Sequence, residues 1–254
     1  MRGLIVIAAL IVVLYALVCL GLYVFQRSLI YFPQPGSGPV PGTTTLTLTL
    51  EGQRVLVTVR PHAGAAAVLY FGGNAEDVSA SLPELMAAFP DHAIYLLHYR
   101  GYGGSSGSPS EKALVADALA LAEQVQAQHP ELTVIGRSLG SGVAVRVAAA
   151  RPVARLVLVT PYDSVQGLAV QQFPYVPVRW LLIDTFESSR HAPQVTAPTL
   201  LLVAEHDEVI PRASTEALYA RFRPGVATLH VIPQTGHNTI SASPDYIGLL
   251  AAGR

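Results

Sequence analysis

The sequence predicts an α/β protein: a mostly parallel sheet of about eight strands with helices on both faces, preceded by one N-terminal transmembrane helix. Three observations carry this. Five continuous apolar runs recur along the chain with helical stretches between them, as parallel strands buried on both faces require. Two earlier stretches alternate apolar and polar residues with period two, the pattern of an antiparallel pair with one wet face. At the N-terminus, Gly3 to Phe25 holds no charged residue.

The N-terminal run, GLIVIAALIVVLYALVCLGLYVF, would reach roughly 34 Å as a helix, against a hydrocarbon core of about 30 Å. A cleaved signal peptide has a shorter apolar region and a small-residue cleavage site, and Gln26-Arg27-Ser28 is a poor one. Residues 1–26 are therefore expected to form an uncleaved, single-pass anchor. Arg2 and the amino terminus flank one end and Arg27 the other. The positive-inside rule leans toward a cytoplasmic N-terminus, with the globular part on the non-cytoplasmic side. The one cysteine, Cys19, lies within the run, so no disulfide can form within the chain. Leu17-Val18 lacks the small residues usual before a lipidated cysteine.

Residues 27–42 are rich in proline and are expected to be a semi-rigid tether lifting the domain off the bilayer. Residues 43–254 are expected to be one domain. Thr44–Leu50 and Arg54–Arg60 form the alternating pair. Ala66–Phe71, Ala93–His98, Leu132–Gly136, Leu156–Thr160 and Thr199–Ala204 are the buried strands, and Thr228–Ile232 is the last. The clearest helix is Ser110–Gln128, with Ser110 as its N-cap. Another follows Ser138, and a short helical tail follows Pro244. The net charge is −1 with no basic run, which gives no case for a nucleic-acid partner.

In open α/β sheets chemistry sits beyond the carboxyl ends of the strands. Ser138 lies there, in VIGRSLGSG between a strand and a helix. A sharp strand-to-helix turn exposes the hydroxyl, and Gly136 and Gly140 leave room for it. A serine hydroxyl needs a base. His237, in QTGHNTIS after the last strand, is the candidate, with His98 as a second. The base needs a carboxylate. Asp207, in AEHDEVIP after Thr199–Ala204, fits, and Asp163, in TPYDSV, is its rival. An oxyanion would take the Leu139 N–H and an N–H of Gly73 or Asn74 in YFGGNAED. Tyr102, in YRGYGGSSGSPSE, is expected to flank the substrate pocket. No cluster has metal-ligand spacing, and no cofactor is needed.

The order Ser138, Asp207, His237 and the stretches QRSLIYFPQP, YFGGNAED, YRGYGGSSGSPSE, GRSLGSG, HDEVIP and GHN resemble the α/β-hydrolase superfamily over nearly all of residues 43–252. Within it they look most like the membrane-anchored branch that includes eukaryotic protein depalmitoylases. The resemblance implies the α/β-hydrolase fold, with Ser138 as nucleophile, His237 as base and Asp207 as its partner. It also implies a short lid at about residues 161–197, where Phe173 and Trp180 would meet the substrate. One departure stands out. The branch usually carries His-Gly-Asn-Ala after the third strand, and Gly72 replaces the histidine that usually holds this loop. The expected function is hydrolysis of a small-molecule or acylated substrate, an ester or thioester, through an acyl-enzyme. Amidase or aminopeptidase-like activity is the alternative within the class, and a non-catalytic protein binding an apolar ligand is the alternative outside it.

Overall fold

β-branched and aromatic side chains crowd the apolar runs, and such residues fit a pleated, covered surface. In the computed structural model, which describes residues 1–252, they form one eight-stranded sheet. The strands are β1 (Thr44–Leu50), β2 (Gln53–Arg60), β3 (Ala66–Phe71), β4 (Ala93–Leu97), β5 (Glu131–Arg137), β6 (Arg155–Val159), β7 (Thr199–Ala204) and β8 (Ala227–Ile232). Their order is β1-β2-β4-β3-β5-β6-β7-β8. β2 pairs antiparallel with β1 and with β4, and the other neighbours pair in parallel. The chain runs outward from β3 to β4, then crosses back to β5 on the other side of β3. That reversal makes the carboxyl ends of β3 and β5 the crevice where ligands collect.

Successive side chains of the buried strands feed two cores. Leu69, Phe71, Leu97, Val134 and Leu158 join one, with residues of α3 (Glu111–Gln126) and α4 (Leu139–Ala150). Val68, Tyr70, Leu96, Ile135 and Val157 join the other, with α2 (Leu82–Ala88) and α9 (Pro244–Ala251). The helices thus cover both faces, as expected. Ser110 caps α3, its side chain accepting from the Ala113 N–H. Asp117, buried on α3, takes both arms of Arg100, at 2.9 and 2.7 Å, and so ties down the loop after β4.

α1 spans Arg2–Ile30 and is long and apolar enough to cross a membrane. None of its most apolar 18-residue window is buried. The helix runs past residue 26 because Gln26 to Ile30 offers no breaker. Pro33 is the first, and the residue before a proline is pushed out of the helical region.

The expected tether is corrected at residues 31–37, which pack on the domain instead of lifting it away. Tyr31 is buried, the Phe32 N–H donates to the Asn74 carbonyl and to the Tyr102 hydroxyl, and the Gly103 N–H donates to the Gln34 carbonyl. Ser37 donates to Asp77 through both its backbone and its hydroxyl. Extended proline-rich backbone leaves its polar groups free, and here the domain supplies their partners.

Between β6 and β7 lies an insertion holding α5 (Val165–Gln172), α6 (Val178–Leu181) and α7 (Ser188–His191). It leans on α1. The Tyr15 hydroxyl donates to the Tyr175 carbonyl at 2.8 Å. Gln26 donates to the Leu181 carbonyl and accepts from the Ile183 N–H, at 3.1 and 2.7 Å. Asp184, itself buried, accepts from Arg27 and from Tyr31, each at 3.0 Å. Burial and the Asp184 charge push the Tyr31 phenol well above its ordinary range. α8 (Arg212–Tyr219) follows β7.

Candidate active site

Ser138 stands between β5 and α4 with φ of 49° and ψ of −119°. A non-glycine residue held there stores roughly 1–3 kcal/mol of strain. The glycines around it are demanded by contact. A Cβ on Gly140 would collide with the Phe71 and Gly72 carbonyls, and one on Gly136 with Gly140 and Ala144. The turn is fixed by the Ser138 N–H donating to the Val159 carbonyl at 2.9 Å and by the Ser141 hydroxyl on the Ser138 carbonyl at 2.6 Å.

His237, in the loop after β8, brings Nε2 to 3.0 Å from Ser138 Oγ. Its Nδ1 lies 3.0 Å from both carboxyl oxygens of Asp207. An acid facing Nδ1 favours the proton on that nitrogen, which leaves Nε2 as the acceptor for the serine proton. Asp207 is aimed by its own loop, where the Val209 and Ile210 N–H groups donate to Oδ1 at 2.9 and 2.7 Å. All three side chains are buried or nearly so. This chain of hydrogen bonds can take a proton from a serine and return it to a leaving group.

The two rivals are engaged elsewhere. His98 Nε2 lies 2.8 Å from Thr58 Oγ1, and burial lowers its basicity. Asp163 accepts from the Ser214 and Ser164 hydroxyls.

The loop after β3 sharpens the oxyanion expectation. The Gly73 N–H donates to Glu76 Oε2 at 2.8 Å, so it is committed within its own turn. Asn74 is held by its carbonyl, which accepts from the Phe32 N–H and, at 2.7 Å, from the Tyr102 hydroxyl. Leu139 heads α4, and the first N–H groups of a helix lack intrahelical partners. With the Gly73 N–H engaged, Leu139 and Asn74 are the expected oxyanion residues whose N–H groups are candidates to donate. Tyr102 is the residue expected to flank the substrate pocket. It is buried and braces Asn74 and Phe32, and burial pushes its phenol up to about 12.

Two acidic residues escaped sequence reasoning. Glu76 gathers the Gly73 N–H, the Tyr70 hydroxyl and the Ser81 hydroxyl, and so holds the loop after β3. Its signal was a carboxylate three residues after a Gly-Gly pair. Glu208 accepts the His237 N–H at 3.0 Å. That bond holds its carboxyl below the usual range.

An apolar cavity of about 460 Å³ lies between α1 and the insertion and extends to Val209, Ile210 and Pro211. Phe173 lines it. Trp180 does not, being 88% exposed on the outer side of the insertion.

The family model described as "Serine aminopeptidase, S33" matches residues 65–190 and 182–243. An uncharacterized Mycobacterium tuberculosis protein, Rv2307c, is 36% identical over 249 residues, spanning 90% of this chain and 87% of its own. The lysophosphatidylserine lipase ABHD12 of Danio rerio is 29% identical over 176 residues, 60% of this chain and 46% of its own. Among solved structures, the Pyrococcus furiosus esterase Pf2001 superposes with a TM-score of 0.70 at 15% identity, covering 86% of this chain and 96% of its own. That likeness is one of fold. With the family model spanning more than half of its length, the chain is a hydrolase of the α/β-hydrolase superfamily and belongs to the serine aminopeptidase S33 family.

Proposed function

We propose that the protein is a membrane-anchored serine hydrolase that cleaves carboxylic esters or thioesters through an acyl-enzyme. The hydrogen-bonded chain Asp207–His237–Ser138, 3.0 Å at each link, carries the reading. Ser138 Oγ attacks the acyl carbonyl as its proton passes to His237 Nε2. The Asp207 carboxylate stabilises the imidazolium that forms. The oxyanion rests on the Leu139 and Asn74 N–H groups, each worth about 3–4 kcal/mol in comparable sites. His237 then protonates the leaving group, and water, activated by the same imidazole, releases the acyl group.

α1 serves as the anchor and residues 161–197 as the lid. The exposed Phe173, Tyr175 and Trp180 of the lid are side chains suited to a membrane interface. The catalytic domain lies on the non-cytoplasmic side. Arg27 is partnered by Asp184, so Arg2 carries the positive-inside signal. The similarity to a lipase favours an acyl substrate. Amide hydrolysis is the second reading, and the description of the matched family favours it. The same triad serves both reactions.

A fluorophosphonate probe should label the folded protein and fail on Ser138→Ala, whose kcat should drop by about 10⁴–10⁶-fold. Labelling of Ser138→Ala, or none of the folded wild type, would remove Ser138 from the role. Turnover of p-nitrophenyl esters, acyl thioesters and aminoacyl amides then separates the two reactions.

A further inference from the structure

We propose that the cavity between α1 and the lid is the seat of the substrate's acyl chain, which enters it sideways from the bilayer. This rests on the serine-hydrolase reading and names its substrate as a lipid-borne acyl group. One wall of the cavity is the anchor itself, through Leu22, Leu29 and Ile30, and the facing wall is the lid, through Leu168, Phe173 and Leu182. A helix whose apolar residues are exposed all along its length has hydrocarbon around it once it spans a membrane, so a cavity walled by that helix opens beside acyl chains. The inner end is Val209 and Ile210, the residues whose N–H groups hold Asp207. The cavity thus runs from the anchor to the loop that aims the catalytic acid. Its volume, about 460 Å³, is that of a ligand pocket.

The lining is mostly apolar, with Tyr23, Gln26, Gln171 and Gln172 as its polar members. Gln26, on the anchor wall, has both ends of its amide on the Leu181 carbonyl and the Ile183 N–H. Asp184 is engaged by Arg27 and Tyr31. The lid is therefore pinned to α1 at its tip, by Tyr15, and at its outgoing limb. The incoming limb, α5, is half-buried, with Val165 and Leu168 packed against the core and the Gln166 N–H on the Thr185 carbonyl, so Leu168 is the position from which a larger side chain would fill the cavity.

The test uses the full chain in phospholipid nanodiscs with palmitic acid bearing a diazirine near its methyl end. This is a reaction product, so its binding needs no turnover. After photolysis, the labelled residues should fall in 165–182 and at Leu29–Ile30. Excess palmitate should suppress them, and Leu168→Trp, which fills the cavity, should lower them at least several-fold. Labels confined to the lipid-facing run Leu4–Val18, indifferent to Leu168→Trp and to competitor, overturn the proposal. In parallel, kcat/KM for p-nitrophenyl esters should rise with acyl length, up to about four-fold per methylene. Leu168→Trp should cut the ratio of dodecanoyl to acetyl turnover at least ten-fold. An unchanged ratio, with Ser138 still labelled by fluorophosphonate, sinks the acyl seat while the serine-hydrolase reading stands. Lid labelling without fluorophosphonate reactivity does the reverse.

Discussion

Gly73 gives its N–H to Glu76, and on the proposed reading this leaves the Asn74 N–H for the oxyanion. Glu76 also takes the hydroxyls of Tyr70 and Ser81, so its loss frees three donors at once. Glu76→Ala should lower kcat by about 10–100-fold, the scale of a sub-ångström displacement in a catalytic loop. KM should change less, and Glu76→Gln, which keeps an acceptor, should fall between. Steady-state kinetics on one ester checks both. On the proposed reading, Asp207→Asn should cost about 10⁴-fold in kcat, because an amide facing Nδ1 favours the wrong tautomer. Asp163→Asn should stay within a few-fold, since its partners are Ser214 and Ser164. Comparable losses in the two variants would remove Asp207 from the acid role. Ser138, Asp207 and His237 were legible because each stands just past a strand that its own apolar run announces. Glu76 was not, because a carboxylate in a turn looks the same in sequence whether it faces water or gathers hydroxyls. The bracing contacts of Tyr102 with Asn74 and Phe32 were hidden for a related reason.

At the scale of elements, the strands and α3 were readable from periodicity and from the Ser110 cap, to within a residue or two at their ends. The segment after α1 was not. Proline content foretold its extended backbone but not its docking, which depends on partners such as Asn74 and Gly103, far away in the chain. The same holds for Gln26. A polar residue at the end of an apolar helix reads as an interfacial cap, whereas its partners lie 155 and 157 residues away. Gln26→Leu should leave the Ile183 N–H and the Leu181 carbonyl without this partner, at about 1–3 kcal/mol. Each kcal/mol lowers Tm by about 2–4 °C in a domain of this size. Hydrogen exchange offers the more local readout. The Ile183 amide should exchange faster in the variant while strands β3 and β5 keep their protection. Unchanged exchange at Ile183 would mean that the clamp does not hold the lid.

For the whole molecule, the sheet order turns two distant glycine-rich loops into neighbours. β3 and β5 pair with Phe71 opposite Gly136, so the loop of Gly72–Asn74 and the turn of Ser138 leave the sheet side by side. The alternation of strands and helices announced a parallel sheet, whereas the contact between α1 and the insertion was not legible. That contact has a further consequence. On the proposed reading, bonds from Tyr15, Gln26, Arg27 and Tyr31 to the lid keep the catalytic domain from tumbling on its stalk. Such an enzyme meets its substrate in two dimensions. What saturates it is the mole fraction of substrate in the surface, not its molarity in the tube. Diluting a long-chain ester with inert phospholipid at constant total ester should therefore slow turnover, while diluting the same vesicles with buffer should leave turnover per enzyme unchanged. The protein would thus respond to the composition of its membrane and ignore the volume around it.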